Sequence, residues 1–264
     1  MKIVACIKQV PDSAAKVVAE NGQVSWGDAP LVINPWDEFA VEAALQQKEA
    51  LGGEVIAVSM GGEAAKEALK HALAMGCDQA ILVSDQALEG LDTQGTARVL
   101  AAAIQKIGGV DMAFFGRQTI DGDAGLTPAQ SARALGWPFL GLTAKVECSG
   151  QTVKVERAIE EGRQVVSAEL PAVFSIAKDY GEPRYPSFMG IRKASRAEIP
   201  LWSLADLSAT LEASLGISAP APVIAWPALL NPPSREVTCE IISGGGPEEI
   251  ANALADKIIA EKVL

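Results

Sequence analysis

The first half of the chain alternates short apolar runs with stretches of helical spacing. Ile3–Val10, Glu54–Ser59, Gln79–Ser84 and Val110–Phe115 have the length and apolar character of buried strands. Pro35–Leu51, Ala64–Met75, Thr93–Ile107 and Thr127–Leu135 repeat their apolar residues near helical spacing. Glycines close three of these helices, at Gly52-Gly53, Gly76 and Gly108-Gly109. Strands that alternate with helices in this way pair in parallel, because only a long crossover returns the chain in the same direction. The helices then cover both faces of the sheet.

After Trp137-Pro138 the pattern changes. Thr143–Glu147, Thr152–Ala158, Gln164–Leu170 and Ala172–Ala177 are short and β-branched, with turns at Ser149-Gly150 and Glu161-Gly162. They predict an antiparallel extension. Residues 181–200 read as a loop. Pro200 to Ser234, rich in Pro, Ala and Ser, reads as an extended arm, and Pro247–Leu264 as a last amphipathic helix behind Gly244-Gly245-Gly246. The expected organisation is an α/β domain over residues 1–200, with the arm and last helix, residues 201–264, packing on a partner.

Acidic residues number 33 against 22 basic ones, a net charge of −11. A general nucleic-acid surface or anionic-membrane surface does not fit that field. No apolar run approaches the roughly 20 residues that span a bilayer. Met1–Val10 alternates and carries Lys2 and Lys8, so it reads as a strand and no secretory leader is expected. The four cysteines, Cys6, Cys77, Cys148 and Cys239, are scattered and His71 is the only histidine. No metal site or Cys–His nucleophile is expected from them, and reduced, buried thiols of a cytoplasmic protein are.

One stretch asks for a ligand: "GRQTIDGDAGLTPAQ", Gly116 to Gln130. Thr127, Pro128 and Gln130 fit a helix start, with Thr127 as the cap. A glycine loop feeding a helix N-terminus offers an anion site. Gly122 is expected where the backbone needs freedom or close approach. Asp121 and Asp123 would repel a phosphate, so they suit ribose hydroxyls, backbone N–H groups or a cation, or they only shape the turn. The simplest ligand with both an anion and hydroxyls is a nucleotide. Standard motifs do not help. There is no G-x-G-x-x-G, Gly90–Thr96 has P-loop spacing without the lysine, and Ser243–Gly246 lacks partners. No nucleophile triad and no acid/base carboxylate pair stands out, which favours binding or carrying over bond-making chemistry.

An ordered set of stretches resembles the β (small) subunit of electron transfer flavoproteins, including the nitrogen-fixation-associated and bifurcating relatives. They are "CIKQVPD" (6–12), "INPWDEFAVEAAL" (33–45), "EVIAVSMGG" (54–62), "ALAMGCDQAILV" (72–83), "GRQTIDGDAG" (116–125), "KVERAIEEG" (154–162), "LPAVFSI" (170–176) and "EPRYPSFMGIRKA" (182–194). The resemblance implies an adenine nucleotide alpha hydrolase-like sheet and a heterodimer. A larger α subunit would hold most of a redox FAD, with the β subunit as one wall. The β subunit would bind AMP, or a second FAD in bifurcating relatives, and would carry electrons from a flavin-dependent dehydrogenase, such as an acyl-CoA dehydrogenase, without being an enzyme.

By position, the implied nucleotide site is Cys6, Asn34, Pro35, Trp36, Asp37, Met60 and the loop Gly116, Arg117, Gln118, Thr119, Ile120, Asp121, Gly122, Asp123, Ala124, Gly125, Leu126 and Thr127. Asn34 and Asp37 are candidate caps of the helix that follows. The implied recognition loop offers Tyr185, Phe188, Met189 and Ile191 to the dehydrogenase, and the resemblance implies an approach of Arg157 to the flavin at the subunit border. Ser13, Ala158 and Leu126 depart from the family's usual residues. The small residues Gly122, Ala124 and Gly125 and the "KQVPD" start favour the FAD-capable branch. A regulatory nucleotide module of the universal-stress-protein type is the alternative, but its glycine pattern is missing.

Overall fold

In the computed structural model, which describes residues 1–234 and 238–261, five short strands precede the first helix, and strand and helix alternate from there to residue 135. In chain order the elements are β1 (Lys2–Cys6), β2 (Gln9–Pro11), β3 (Val18–Glu20), β4 (Gln23–Ser25), β5 (Leu31–Ile33), α1 (Pro35–Leu51), β6 (Glu54–Met60), α2 (Lys66–Met75), β7 (Gln79–Val83), α3 (Thr93–Ile107), β8 (Met112–Gly116) and α4 (Thr127–Leu135). Then come β9 (Phe139–Ser149), β10 (Thr152–Ile159), β11 (Gly162–Glu169), β12 (Ala172–Ile176), α5 (Phe188–Ala194), β13 (Leu201–Trp202), α6 (Leu204–Leu215) and α7 (Pro247–Ala260).

A nine-stranded sheet runs β11-β10-β9-β12-β8-β1-β6-β7-β13. From β9 to β13 every pairing is parallel. Only β9-β10-β11 is antiparallel. Successive side chains of a strand point to opposite faces, and β1 shows it. Ile3 and Ala5 join a cluster with α1 and α2, while Val4 and Cys6 join one with α3, α4 and α6. The expected α/β class with an antiparallel extension is the fold observed.

Four local expectations are corrected. The run Ile3–Val10 is two strands, because beyond Cys6 the Lys8 N–H turns to the Asp37 carboxylate at 2.7 Å and β2 pairs with β5 instead. The segment Ala172–Ala177 is no part of the antiparallel extension. All of β12 is buried, and it inserts in parallel between β8 and β9, where Phe174 stacks on Phe114 with ring centroids 4.7 Å apart. Residues 181–200 contain α5, whose N-cap Ser187 accepts from Gly190 N. A Cβ on Gly190 would lie 2.2 Å from Ala74 O, so the missing side chain lets α5 seat on α2.

The fourth concerns the arm. Pro200 to Leu215 is not extended: β13 pairs with β7, and α6 starts in a Ser203–Asp206 capping box and ends at left-handed Gly216. Leu207 and Leu211 are fully buried in the α3 cluster. The small-residue composition hid a narrow apolar stripe. Residues 217–229 run without a regular element, tied by Val223 N and Ile224 N to Asp92 and by Leu229 N to Gly22 O. Met1–Leu229 is one compact unit and Leu230–Leu264 a second. The second contains α7, none of whose residues is buried, and a Lys257–Glu240 ion pair of 2.6 Å. The expected final turn, residues 262–264, lies outside the described residues. Cys6 and Cys77 are buried as expected, whereas Cys148 is half-buried and Cys239 exposed. No helix among the described residues is long and apolar enough to cross a membrane.

If α6 belongs to the core, Leu211→Ala will cost about 2–5 kcal/mol, the range for emptying a buried leucine site. Urea unfolding of the protein checks this. A midpoint unchanged from wild type would return residues 204–215 to the arm.

Candidate functional site

A cleft of about 400 Å³ opens at the carboxyl ends of β1, β6 and β8, where Cys6, Met60, Phe115 and Gly116 form its floor. Open parallel sheets bind ligands at this edge, and the volume lies in the usual range for small-molecule sites. One wall is the loop and helix start Gln118, Thr119, Gly122, Ala124, Gly125, Thr127 and Pro128. The opposite wall is Leu88–Thr93 with Thr96 and Leu100 of α3. Ile7, Lys8, Asp37 and Gly61 complete it.

The loop is held from below. Asn34 is fully buried. Its side chain does not cap α1; Nδ2 donates to Gln118 O at 2.9 Å, and Oδ1 accepts from Ile120 N at 3.2 Å. Lys8 Nζ reaches Asp121 Oδ2 at 2.6 Å, and Gln118 Nε2 donates to Asp123. Burial opposes ionisation of Asp121, but the Lys8 ammonium and the Thr119 hydroxyl outweigh it and hold its carboxyl below the ordinary range. Neither Asp121 nor Asp123 lines the cleft. Of the roles left open for the two acids, shaping the turn is the one with partners in the structure.

The glycines divide unequally. A Cβ on Gly116 would lie 2.3 Å from Asp37 Oδ1 and 2.7 Å from the Trp36 carbonyl carbon, so the first turn of α1 occupies the space a side chain would take. Gly125 has φ +61° and Asp123 φ +50°, the left-handed pair that bends the loop. At Gly122, by contrast, a Cβ would meet only Thr119 Oγ1 at 3.7 Å, so the expected need for freedom or close approach lies at Gly116 and Gly125 instead. Helix α4 begins at Thr127 behind Leu126, with no side-chain cap. Thr127 is therefore the first helical residue rather than the cap, and the leading N–H groups of α4 lack a side-chain acceptor.

Of the positions expected to hold a ligand, the structure brings Cys6, Asp37, Met60, Gly116, Gln118, Thr119, Gly122, Ala124, Gly125 and Thr127 to the cleft. Asn34, Pro35, Trp36, Arg117, Ile120, Asp121, Asp123 and Leu126 do not line it. Arg117 stacks on the Trp36 ring with its guanidinium 5.8 Å from the centroid. The wall Leu88–Thr93 was not expected. Its signal was present as the glycine loop Gly90–Thr96, set aside for want of a lysine. Asp92 there caps α3 through Gly95 N at 2.8 Å. Tyr185, Phe188, Met189 and Ile191 form an exposed apolar ridge on and before α5. Arg157 lies on β10, bonded to Gly141 O and Gln164.

The lining is largely apolar at the floor and rich in backbone at the walls. That suits a flat apolar body with a polar or anionic end. Burial pushes the Cys6 thiol far above its ordinary range, with the Asp37 charge adding to it, so Cys6 stays protonated and unreactive. No group of His, Cys, Asp and Glu among the described residues could hold a metal ion. His71 pairs with Glu38 at 2.8 Å, a structural contact.

Asp37 is pushed up to about 7 by burial, against the lowering pull of the Lys8 and Gly116 N–H groups and Asn34. A carboxyl raised in the folded state binds its proton more tightly there than in the unfolded chain. Its contribution to stability is therefore full below about pH 4 and is lost as pH rises through about 7. Asp37→Asn removes that dependence. The melting temperature of the variant minus that of wild type should climb between about pH 4 and 7 and then level off. A difference that stays flat over this window, measured by calorimetry, would mean that Asp37 is ionised throughout.

Residues 24–207 match the family described as the electron transfer flavoprotein domain. The chain is similar to an electron transfer flavoprotein subunit beta of Clostridium acetobutylicum, 39% identical over 82% of this chain and 83% of the relative. It is similar to the caffeyl-CoA reductase-Etf complex subunit CarD of Acetobacterium woodii, 35% identical over the full length of both. Protein FixA of Azorhizobium caulinodans is 39% identical over 78% of this chain and 76% of its own. Over this extent and at this identity, and on a sheet of the expected architecture, the chain belongs to the electron transfer flavoprotein family, in the branch of the β subunits and FixA proteins.

Proposed function

We propose that this chain is the β subunit of a heterodimeric electron transfer flavoprotein, that its cleft binds an adenine nucleotide, and that it acts in the cytoplasm. The observation that carries the nucleotide reading is the cleft itself: an apolar floor at the carboxyl ends of three parallel strands, faced by the uncapped start of α4. The fit is chemical. Cys6, Met60, Leu88 and Leu100 suit the flat face of a base, and the backbone of Gly122 to Thr127 suits a phosphate. A smaller hollow of about 110 Å³ shares Met60, Gly61, Leu88 and Glu89 with the main cleft and continues toward Ser84 and Gln86. That continuation favours the longer of the two candidate ligands, a second FAD over AMP.

A bound flavin supplies the ring that accepts and releases electrons. The chain's own residues hold, orient and shield; none is cast as a nucleophile or a proton donor to substrate. The α subunit is the natural partner of the exposed apolar residues Val223, Ile224 and Trp226 and, separately, of α7 with Leu254 and Ile259 exposed.

The docking surface for a flavin-dependent dehydrogenase such as an acyl-CoA dehydrogenase is the ridge of Tyr185, Phe188, Met189 and Ile191. Phe188 is 81% exposed, on a backbone fixed at both ends. Gly190 seats α5 on α2. Arg184 forks onto Glu42 at 2.7 Å and onto Glu49 at 2.5 Å. An aromatic on a rigid mount loses little entropy when it enters a pocket.

Two measurements test the reading. Nucleotide released by denaturing the purified heterodimer and identified by mass should include, beyond the one redox FAD, one AMP or a second FAD per heterodimer, and this extra nucleotide is the one read in the variants. Gly116→Ala should abolish the bound nucleotide, because the strand end and α1 must part. Gly122→Ala should retain most of it. Stoichiometric nucleotide in Gly116→Ala would place the site elsewhere. Phe188→Ala should leave nucleotide and flavin content intact while slowing reduction by the cognate dehydrogenase at least about tenfold, equivalent to about 1.4 kcal/mol. An unchanged stopped-flow rate would remove the ridge from docking.

A further inference from the structure

Leu142 has φ +56°, a left-handed backbone that a branched aliphatic residue adopts only when its surroundings impose it. The cause is a bulge. Between the pairs Phe174–Leu140 and Ile176–Thr143, the two residues Gly141 and Leu142 on β9 face the single Ser175 on β12. Ser175 Oγ accepts from Leu142 N at 3.1 Å, and buried Thr143 Oγ1 donates to Leu140 O at 2.8 Å. A Cβ on Gly141 would lie 2.8 Å from Phe139 Cε1, so the Phe139 ring rests on that glycine. Every side of the irregular turn is braced.

The braced turn presents one backbone group. Gly141 O accepts from Arg157 Nε at 2.8 Å, while Arg157 Nη1 donates to Gln164 Oε1 at 2.8 Å. No carboxylate pairs with Arg157 among the described residues, although the chain carries a net charge of −11. Its Nη2 edge is left for a partner. The register also places the bulge. Ser175 lies in one row with Phe115, Cys6 and Val58, the row that contains the cleft floor. Bulges next to sites re-aim side chains, and strain of this kind is retained where geometry matters.

We propose that the Gly141–Leu142 bulge is a positioning device that fixes Arg157 on the carboxyl edge of the sheet, with Nη2 directed to an electron-rich atom of the redox flavin carried by the partner subunit. The proposal rests on the reading of the chain as the β subunit of such a heterodimer. Leu142 and Ser175 act through Arg157, and a guanidinium beside the ring favours the state that has taken up negative charge.

The test separates backbone conformation from side-chain chemistry at one position. In the purified heterodimer, Arg157→Met should move the midpoint potential of the bound flavin to a more negative value. Leu142→Ile, whose β-branch resists a left-handed backbone, should move it the same way, as should Ser175→Ala. Leu142→Gly keeps the backbone without strain and should leave the potential at the wild-type value. In the ¹⁵N spectrum the Arg157 Nε–H should be protected from exchange in wild type and Leu142→Gly and lose protection in Leu142→Ile and Ser175→Ala. If Arg157→Met shifts the potential while Leu142→Ile and Ser175→Ala do not, the bulge is not the positioning device. If Arg157→Met itself leaves the potential unchanged, Arg157 does not face the flavin and the reading of this edge fails with it. Should Leu142→Ile prevent assembly, Ser175→Ala carries the comparison alone.

Discussion

The absence of a side chain at Gly116 is the constraint on which the rest of the site depends. It lets the first turn of α1 close onto the end of β8, with Asp37 Oδ1 and the Trp36 backbone in the space a Cβ would fill. From that seat Asp37 accepts the Lys8 N–H and turns the chain out of β1. Asn34, one residue before the helix, reaches across to the loop at Gln118 and Ile120. Buried polar groups are costly unless they are paired. Here each pairing also ties two segments distant in sequence, so the cost of burial is converted into a defined cleft wall.

Helix α1 extends this constraint beyond the cleft. Its middle carries Glu42, almost fully buried, a group that would be expensive without a partner. Burial opposes its ionisation, and the Arg184 fork outweighs that and keeps it charged. The same Arg184 also holds Glu49 and so anchors the start of the exposed ridge. One rigid helix therefore fixes the loop at its first turn and the ridge at its third and fourth. This explains why the ridge can expose Phe188 and Met189 without collapsing onto its own domain.

The two acids of the loop show how local reading runs out. Asp121 and Asp123 stand in a glycine loop before a helix, and their chemistry fits a ligand, a cation or the turn equally well. Lys8, more than 100 residues away in the chain, decides for Asp121, and Gln118 decides for Asp123. No window of sequence around the loop contains Lys8. The same holds for Arg157, whose acceptor is a carbonyl exposed by a bulge one strand away.

The sequence by itself determined the alternation of strand and helix, the helix ends at Gly52, Gly76 and Gly108, and the family, because these rest on period, on glycine stops and on ordered motifs. Helices α1, α3 and α4 stand between the residues read from pattern alone. Local signals suffice where one apolar face meets a sheet. Tertiary structure alone decided the rest. It placed β12 in the parallel core, since a short apolar strand has no preference for its neighbours until both of its faces are buried. It drew α6 into the core through Leu207 and Leu211, a stripe too narrow to outweigh the Pro, Ala and Ser around it. It brought Leu88–Thr93 to the cleft, because a wall is made by strand order, and strand order is set by which faces pack and not by any residue within the wall.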